Sequence, residues 1–148
     1  MIAVRPLTDA DLPVVDARLP LNRLDQKGER TYLVAWEGVE PVGHMHIAWN
    51  GHGGIPEIQD AFVLPERRGE GVGSALTAAA EEEAAARGHG RIGLTVSIKN
   101  AGARRLYERL GYAGTGEEPQ RITGTITLRG RPLQIDDTLL WLAKTLAG

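Results

Sequence analysis

A glycine-rich segment beside two arginines contains the residue types that most clearly suggest ligand binding. It reads V-L-P-E-R-R-G-E-G-V-G-S-A-L over residues 63–76, between an apolar run and an alanine-rich stretch. This order predicts a strand, a loop and a helix, and the first N–H groups of a helix have no partner within it. Because glycines leave backbone N–H groups accessible and the helix dipole adds partial positive charge, the segment predicts a phosphate or pyrophosphate site.

Two common nucleotide-binding motifs do not fit this segment. A P-loop requires a lysine directly after its last glycine, whereas the sequence has no lysine between Lys27 and Lys99. A dinucleotide fingerprint requires a third glycine and a later acidic residue. Reading from Gly69, the third glycine position is Ser74, and no acidic residue lies near Val96 at the end of the next predicted strand. A purely structural turn with solvated arginines remains the alternative.

Length and composition favour one folded domain over residues 1–148. The net charge of -2 gives no sign of nucleic-acid binding, and the absence of cysteine excludes disulfides and a cysteine nucleophile. No apolar run approaches the roughly 20 residues that span a bilayer, and no signal peptide is visible. We therefore expect a cytoplasmic protein without membrane or nucleic-acid partners. Many Arg and Ala residues favour a bacterial source.

The first half of the chain predicts strands that bring polar residues together. Strands are expected over 2–5, 31–36 and 41–49, the last two as a hairpin, with a helix from a Thr8 cap to Pro20. The stretch that follows that proline, up to the hairpin, is expected to be a loop or a short helix that borders an acceptor.

Three histidines in this half have residue types suited to chemistry. His44 and His46 share a strand face and suit a metal pair or a proton relay, but no third ligand has matching spacing, so we favour a structural or substrate-facing role and expect no metal. His52 lies in a glycine-rich loop. It is within reach of a substrate in principle, although a solvated side chain is favoured.

The second half alternates strands with helices. The expected elements are a strand over 57–64, a helix over 74–87, a strand over 91–98, a helix from an Asn100 cap to Gly111, and strands over 122–128 and 136–144. The glycine segment thus lies between the first of these strands and the first of these helices.

Two sequence blocks together resemble the GCN5-related N-acetyltransferase (GNAT) superfamily. The first is R-x-x-G-x-G, formed by Arg68, Gly71 and Gly73. The second is an asparagine after the fifth strand and then L-Y-x-x-x-G-[FY], which matches residues 100–112. The resemblance covers most of the chain. It implies an α/β (α+β) fold with a mixed, mostly antiparallel twisted sheet flanked by helices.

The resemblance implies an activity as well as a fold. Such a protein transfers an acetyl group from acetyl-CoA, its co-substrate, to a primary amine by direct attack in a ternary complex. The alternative is a non-catalytic acyl-CoA-binding sensor. A homodimer through edge strands is possible. The residues that the resemblance assigns to acetyl-CoA are Ala61, Phe62, Val63, Arg68, Gly69, Glu70, Gly71, Val72, Gly73, Ser74 and Asn100.

Candidate catalytic residues also come from the resemblance. Glu57 matches the place of the catalytic glutamate in histone-type members, and Tyr107 matches the tyrosine that acts as general acid. Many members instead carry a glutamate in the fifth strand, where this chain has Thr95, which cannot act as a base. Glu57 is therefore the expected base, with Asp60 as the second candidate, because an amine with a pKa near 10.4 needs help to lose its proton.

Overall fold

The structure, a computed structural model, describes residues 1–24 and 26–146. Within those residues, none of the helices has the length and apolar character needed to cross a membrane. The strands are β1 (Ile2–Pro6), β2 (Arg30–Glu37), β3 (Glu40–Ala48), β4 (Glu57–Val63), β5 (Arg91–Ser97), β6 (Ala113–Gly114), β7 (Gln120–Leu128) and β8 (Arg131–Thr145), and the helices are α1 (Leu12–Arg18), α2 (Val72–Ala86) and α3 (Ala101–Arg109).

The strands form one mixed sheet in the order β1-β2-β3-β4-β5-β8-β6, with β7 paired to β8. Every pairing is antiparallel except that of β4 with β5. The parallel pair follows from the sequence, because α2 lies between those strands and makes the long crossover that parallel strands require. The predicted mixed, mostly antiparallel sheet with flanking helices is confirmed.

Helix α2 packs on one face of the sheet through small and apolar side chains. Leu76, Ala80 and Ala84 are fully buried on it, and small residues let the helix approach the strands closely. The approach is tightest at Gly43 of β3, where a Cβ atom would lie 2.9 Å from the Phe62 carbonyl oxygen and 3.0 Å from a Val72 methyl group. This contact fixes the start of α2 against the end of β4.

Helix α1 is shorter than the sequence predicts and lies on the other face of the sheet. It begins at Leu12 rather than after Thr8, because the Thr8 hydroxyl oxygen accepts a hydrogen bond from the Asp11 N–H (3.1 Å) in a preceding turn. Val15 of α1 is buried in a second apolar cluster with Val34 and Trp36 of β2. Residues 22–24 form a turn, residues 26–29 are irregular with a bend at Gly28, and Asp25 lies outside the described residues.

Strands β4 and β5 separate soon after they meet. Their parallel register contains only Glu57 opposite Gly93 and Ile58 opposite Leu94. Beyond these pairs the rest of β4 runs without β5 beside it, which opens a cleft in the middle of the sheet. Because backbone groups lining the cleft are not used in the ladder between these two strands, they are available to a ligand.

A β-bulge in β4 lies beside this cleft. On β3, His44 pairs with Phe62 and His46 pairs with Gln59, so Asp60 and its neighbour oppose a single residue. Asp60 has a φ of +56°. Bulges redirect side chains and occur often near active sites, and such a φ is uncommon outside glycine although aspartate tolerates it. The bulge therefore sets where the Asp60 carboxyl group lies.

The last two strands form a long hairpin that extends past the end of β5. Strand β8 begins at Arg131, five residues before the predicted start, because its first half pairs with β7 alone. At the tip of the hairpin, the Arg129 guanidinium binds the Asp16 carboxylate of α1, with 3.0 Å between Nη2 and Oδ2. This ion pair connects the hairpin to the opposite side of the sheet.

Candidate functional site

Two cavities meet at the cleft between β4 and β5. We call the first the loop groove; it lies between the end of β4, the glycine segment, α2 and α3, and has a volume of about 800 Å³. We call the second the polar cavity; it lies between β4, β5 and the turns after α1, with a volume of about 520 Å³. The residues that line both are Ala61, Asn100, Ala103 and Tyr107. We call these four the junction.

The start of α2 presents unpaired backbone donors to the loop groove. Gly71 is the N-cap residue with a φ of +85°, a conformation that a glycine adopts without strain. The first helical hydrogen bond runs from the Ala75 N–H to the Gly71 carbonyl oxygen (3.0 Å). The N–H groups of Val72, Gly73 and Ser74 therefore have no acceptor within the helix, and all three residues line the groove. The arrangement suits a phosphate group.

Two arginines add positive charge at this end of the groove. Arg68 folds back on β4, with its Nε donating to the Val63 carbonyl oxygen (3.2 Å) and its guanidinium 5.8 Å from the centre of the Phe62 ring. Arg67 also lines the groove and binds the Glu70 carboxylate (3.2 Å). Glu70 is not among the residues that line the groove, and its predicted part in acetyl-CoA binding stays a prediction.

The other residues expected to bind acetyl-CoA lie along the same groove. Ala61, Phe62, Val63 and Gly69 are among its lining residues. Asn100 caps α3, because its Oδ1 accepts a hydrogen bond from the Ala103 N–H (3.0 Å), which confirms the predicted cap. This bond leaves the amide NH₂ group as the part of the Asn100 side chain that can donate at the junction.

Tyr107 is buried at the junction. Its ring packs edge-on against Tyr112 with centroids 5.7 Å apart. Burial raises the pKa of Tyr107, which a hydrogen bond with Thr77 partly offsets. The Thr77 hydroxyl in turn donates to the Gly73 carbonyl oxygen (2.8 Å). The phenol is therefore protonated at neutral pH, which is the form that a proton donor requires.

Glu57 lies at the start of β4 and lines the polar cavity. It is 9% exposed, and both carboxylate oxygens accept hydrogen bonds, Oε1 from the His52 N–H (3.0 Å) and Oε2 from Gln59 Nε2 (3.0 Å). A Cβ atom on Gly51 would lie 2.4 Å from the Glu57 Cβ, so only glycine fits there. These contacts hold the carboxylate in one orientation.

A second layer of hydrogen bonds orients Gln59. Arg30 Nη1 lies 2.8 Å from Gln59 Oε1 and 2.6 Å from His46 Nε2. Since a guanidinium can only donate, both atoms act as acceptors and the Gln59 NH₂ group turns toward Glu57. Burial, together with nearby positive charge from Arg30, lowers the pKa of His46 to about 4, and the neutral ring can accept the bond. No sequence pattern predicted this series of hydrogen bonds from Arg30 through Gln59 to Glu57.

His44 and His52 have structural contacts that differ from one another. His44 is fully buried, its Nε2 donates to the Pro20 carbonyl oxygen (3.0 Å), and burial lowers its pKa to about 4. His52 stacks on Trp141 with ring centroids 3.7 Å apart, and its Nε2 binds the Glu117 carboxylate. Its side chain is therefore held at the surface, and only its backbone contacts Glu57.

Asp60 points its carboxyl group to the polar cavity from the β4 bulge. Its Oδ2 atom is buried and, within residues 1–24 and 26–146, has no hydrogen-bond partner. Burial raises the pKa of Asp60 to about 6, although the charge of Arg23 and the N–H groups of Arg23 and Asn22 act in the opposite direction. The sequence signal for this residue was its place with Glu57 and Gln59 among the polar residues at the start of the strand.

The polar cavity also contains residues that the sequence did not single out. Three of these residues, Arg23, Gln26 and Arg30, line it from the segment after α1 and the start of β2. Thr95, which the sequence did single out, lines it from β5. Thr95 thus lies at the site, as the motif comparison predicted, with a hydroxyl group in place of a carboxylate. Nothing in the local spacing of 21–30 indicated that its arginines meet Glu57 and Asp60.

Comparisons with known proteins bear on the family and the fold. A family model described as "Acetyltransferase (GNAT) family" matches residues 1–112. The chain is 41% identical over 85 residues to aminoalkylphosphonate N-acetyltransferase of Salmonella typhimurium, which covers 55% of each protein. It is 30% identical over 96 residues to streptothricin acetyltransferase of Streptomyces lavendulae, which covers 65% of this chain and 51% of that protein. The chain spans about half the length of these curated relatives.

Solved structures share the fold. A GNAT family acetyltransferase from Elizabethkingia anophelis with acetyl-CoA bound has a TM-score of 0.72, 16% sequence identity and 98% coverage of both chains. At this identity the similarity concerns the arrangement of strands and helices alone.

Proposed function

The chain belongs to the GNAT acetyltransferase family, and on that premise we propose that it transfers an acetyl group from acetyl-CoA to a primary amine by direct attack in a ternary complex. The observation that carries the proposal is the junction, where a groove suited to a phosphate-bearing donor meets a polar cavity suited to an acceptor. In this proposal residues 1–148 form one acetyltransferase domain. A cytoplasmic location and a homodimer remain predictions.

The loop groove fits acetyl-CoA as the donor. The N–H groups at the start of α2 have no acceptor within the helix, and Arg68 adds positive charge beside them. Both features suit the pyrophosphate of the coenzyme. The pantetheine arm is assigned to Ala61, Phe62 and Val63, because β5 has separated from β4 and leaves that backbone without a partner on the cleft side. A backbone N–H of this segment is suited to stabilise the thioester oxygen as it becomes negative.

The reaction moves one acetyl group and one proton. The amine nitrogen attacks the thioester carbonyl carbon, a C–N bond forms and the C–S bond breaks. The proton of the amine passes to Glu57, directly or through a water molecule, and the coenzyme thiolate takes a proton from Tyr107. Asp60, which lines the same cavity, remains the second candidate for the base.

The amine acceptor has two classes suggested by the relatives. One relative is named for aminoalkylphosphonates and the other for streptothricin. Because the chain spans only about half of each relative, the acceptor of neither relative can be assigned to it directly. The side chains that line the polar cavity must decide between the two classes.

A sensor that binds acyl-CoA without turnover is the second candidate function. Thr95 supports it, since the β5 position lacks a carboxylate, and so does the Tyr107 hydroxyl, which already interacts with Thr77. The sensor predicts acetyl-CoA binding with no thiol release for any amine.

The test measures acetyl-CoA affinity by calorimetry and thiol release across a panel of primary amines. The Glu57→Gln variant is expected to bind acetyl-CoA like the wild type and to lose about 100-fold or more in kcat, the usual contribution of a general base. Glu82→Gln, an exposed change on α2, is the matched control. An unchanged rate for Glu57→Gln would exclude it as the base, and binding without release for every amine would favour the sensor.

A further inference from the structure

The polar cavity is lined by the cationic side chains of Arg23 and Arg30 and by the acidic side chain of Asp60. These charges favour some classes of amine over others. Resting on the proposed function, we propose that the acceptor is a small amine that also carries a compact anionic group, a carboxylate or a phosphonate. In this assignment Arg30 and Arg23 bind the anionic group, and Asp60 receives the amine. A volume of about 520 Å³ accommodates a molecule of this size.

Arg30 is held in place before any ligand arrives. Its Nη1 donates to His46 and Gln59, and its Nε and Nη2 both contact the Lys27 carbonyl oxygen (3.3 Å each). Each Arg nitrogen of the Nη type carries two hydrogens, so Nη2 retains one donor beyond its contact with Lys27. A guanidinium fixed in this way loses little conformational entropy on binding an anion.

These two arginines share the cavity with the Asp60 carboxyl group, on which the Arg23 charge acts, but neither forms a close ion pair in the described part of the chain. Within residues 1–24 and 26–146, neither Arg23 nor Arg30 has an acidic side chain at ion-pair distance, whereas arginines outside the cavity, such as Arg67 and Arg87, do have one. Guanidinium groups bind carboxylates and phosphonate-type anions through paired hydrogen bonds. This difference favours an anionic partner supplied by the ligand.

The acidic part of the cavity lies toward the junction. Asp60 and the junction residue Ala61 are consecutive in β4, and the buried Oδ2 of Asp60 has no hydrogen-bond partner in the described part of the chain. An ammonium group that approaches the Asp60 carboxyl group from the cavity would offset its negative charge and would lie next to the junction, where the acetyl donor is expected. The Arg23 charge acts on the same carboxyl group. The positive Arg23 and the acidic Asp60 are therefore close enough for one small molecule to contact both.

A polycationic amine fits this cavity poorly. Its further positive charges would face Arg23 and Arg30, and like charges at close range oppose binding. An amine of the same size with a neutral amide in place of the anionic group avoids this repulsion. It cannot form charge-assisted hydrogen bonds with the arginines through that amide. Charge therefore ranks the three classes of acceptor, with the anionic amine first and the polycation last.

The experiment uses the full chain and acetyl-CoA, and it compares three small amines that differ in charge but little in size with one longer polyamine. The probes are 2-aminoethylphosphonate, β-alanine, β-alaninamide and spermidine, with thiol release expressed per neutral amine present. We expect kcat/KM to be at least about tenfold higher for the better anionic probe than for the amide, because a charged hydrogen bond contributes roughly 1.5–3 kcal/mol. The first two probes distinguish a phosphonate from a carboxylate.

The Arg23→Gln variant localises the effect. It is expected to raise KM for the anionic probe about tenfold and to raise KM for the amide much less, because only the anionic probe presents the group that Arg23 binds in this assignment. Arg18→Gln, an exposed change on α1, is the control and should change neither. Calorimetric titration of the anionic probe into the protein with CoA present should show the same loss of affinity without relying on turnover.

The outcomes separate the two levels of the account. If the amide or spermidine reacts as well as the anionic probes, the acetyltransferase stands and the anionic acceptor is wrong. If Arg23→Gln leaves KM and the calorimetric affinity for the anionic probe unchanged, the arginine assignment is wrong. If acetyl-CoA binds and no amine of any class releases thiol, both the acceptor class and the proposed function fall.

Discussion

The loop groove and the polar cavity differ in what they are made of. The loop groove is made largely from consecutive residues, and its donors are backbone N–H groups at the start of α2. The polar cavity combines side chains from the turns after α1 with those of β2, β4 and β5. A site built from one continuous segment leaves a readable motif, while a site built from distant side chains does not. Variants can be chosen that affect one half alone.

The largest expected effect concerns the backbone of the loop groove. Gly71→Val places a β-branched residue at a φ of +85°, which costs roughly 1–3 kcal/mol or moves the start of α2. We expect acetyl-CoA affinity to fall by up to about 100-fold in calorimetry, while KM for the amine changes little. Gly90→Val, at a glycine without positive φ or close neighbours, is the control. Equal affinity in both variants would contradict the role of this backbone.

A smaller effect is expected from the side-chain network of the polar cavity. Gln59→Met removes the NH₂ group that donates to Glu57 Oε2 and should lower kcat about 30-fold with acetyl-CoA affinity unchanged, since a misplaced base loses its geometry. Gln120→Met, on the exposed edge of β7, is the matched control. A loss of coenzyme affinity in Gln59→Met would show that the two halves are not separable.

The junction allows a comparison between two tyrosines that touch. Tyr107→Phe should lower kcat about tenfold, because the thiolate loses a proton donor. Tyr112→Phe removes a hydroxyl that donates to Glu81 (2.9 Å), and it should reduce the free energy of unfolding by about 1–2 kcal/mol with kcat unchanged. If both variants lowered kcat alike, the tyrosines would share a packing role and the general-acid assignment would be wrong.

The smallest effect is a pH-dependent change in stability at Asp60. Its pKa in the fold is raised to about 6 by burial, above the ordinary value near 3.9, so ionisation destabilises the native state. The wild type should lose stability relative to Asp60→Asn as pH rises from about 4 through about 6. Solvent near the group limits the difference to about 1 kcal/mol. Asparagine also tolerates the positive φ.

Denaturant titrations at pH 4 and pH 7.5 measure this difference. Asp11→Asn provides a control at an aspartate outside both cavities. A constant difference between the wild type and Asp60→Asn across this range would mean that the carboxyl group is not buried as the bulge places it.

Much of the fold followed from the sequence for identifiable reasons. Some features depend only on neighbouring residues and can be read along the chain. Examples are the turn glycines, the Asn100 cap and the crossover helix between β4 and β5. The late start of α1 reflects the Thr8 turn, which competes with the helix. The greater length of β8 depends on β7, a partner that no local pattern reveals.

The site divides in the same way. Glu57 and Tyr107 could be proposed from the sequence because they stand at fixed spacings from sequence motifs, and their catalytic roles stay predictions. The β4 bulge was missed, since a bulge is defined by the register against β3. Arg30 was missed because its partners, His46 and Gln59, are 16 and 29 residues away. Tertiary register, which residue types alone do not specify, sets the contents of the polar cavity.

The most direct test of the central claim is calorimetric titration of acetyl-CoA into the wild-type protein, with ATP and NAD as controls. The account predicts saturable one-to-one binding of acetyl-CoA alone, which Gly71→Val weakens strongly. Absence of binding at high coenzyme concentration, or equal binding of ATP or NAD, would mean that the glycine segment does not form an acetyl-CoA site and would contradict the proposed acetyl transfer.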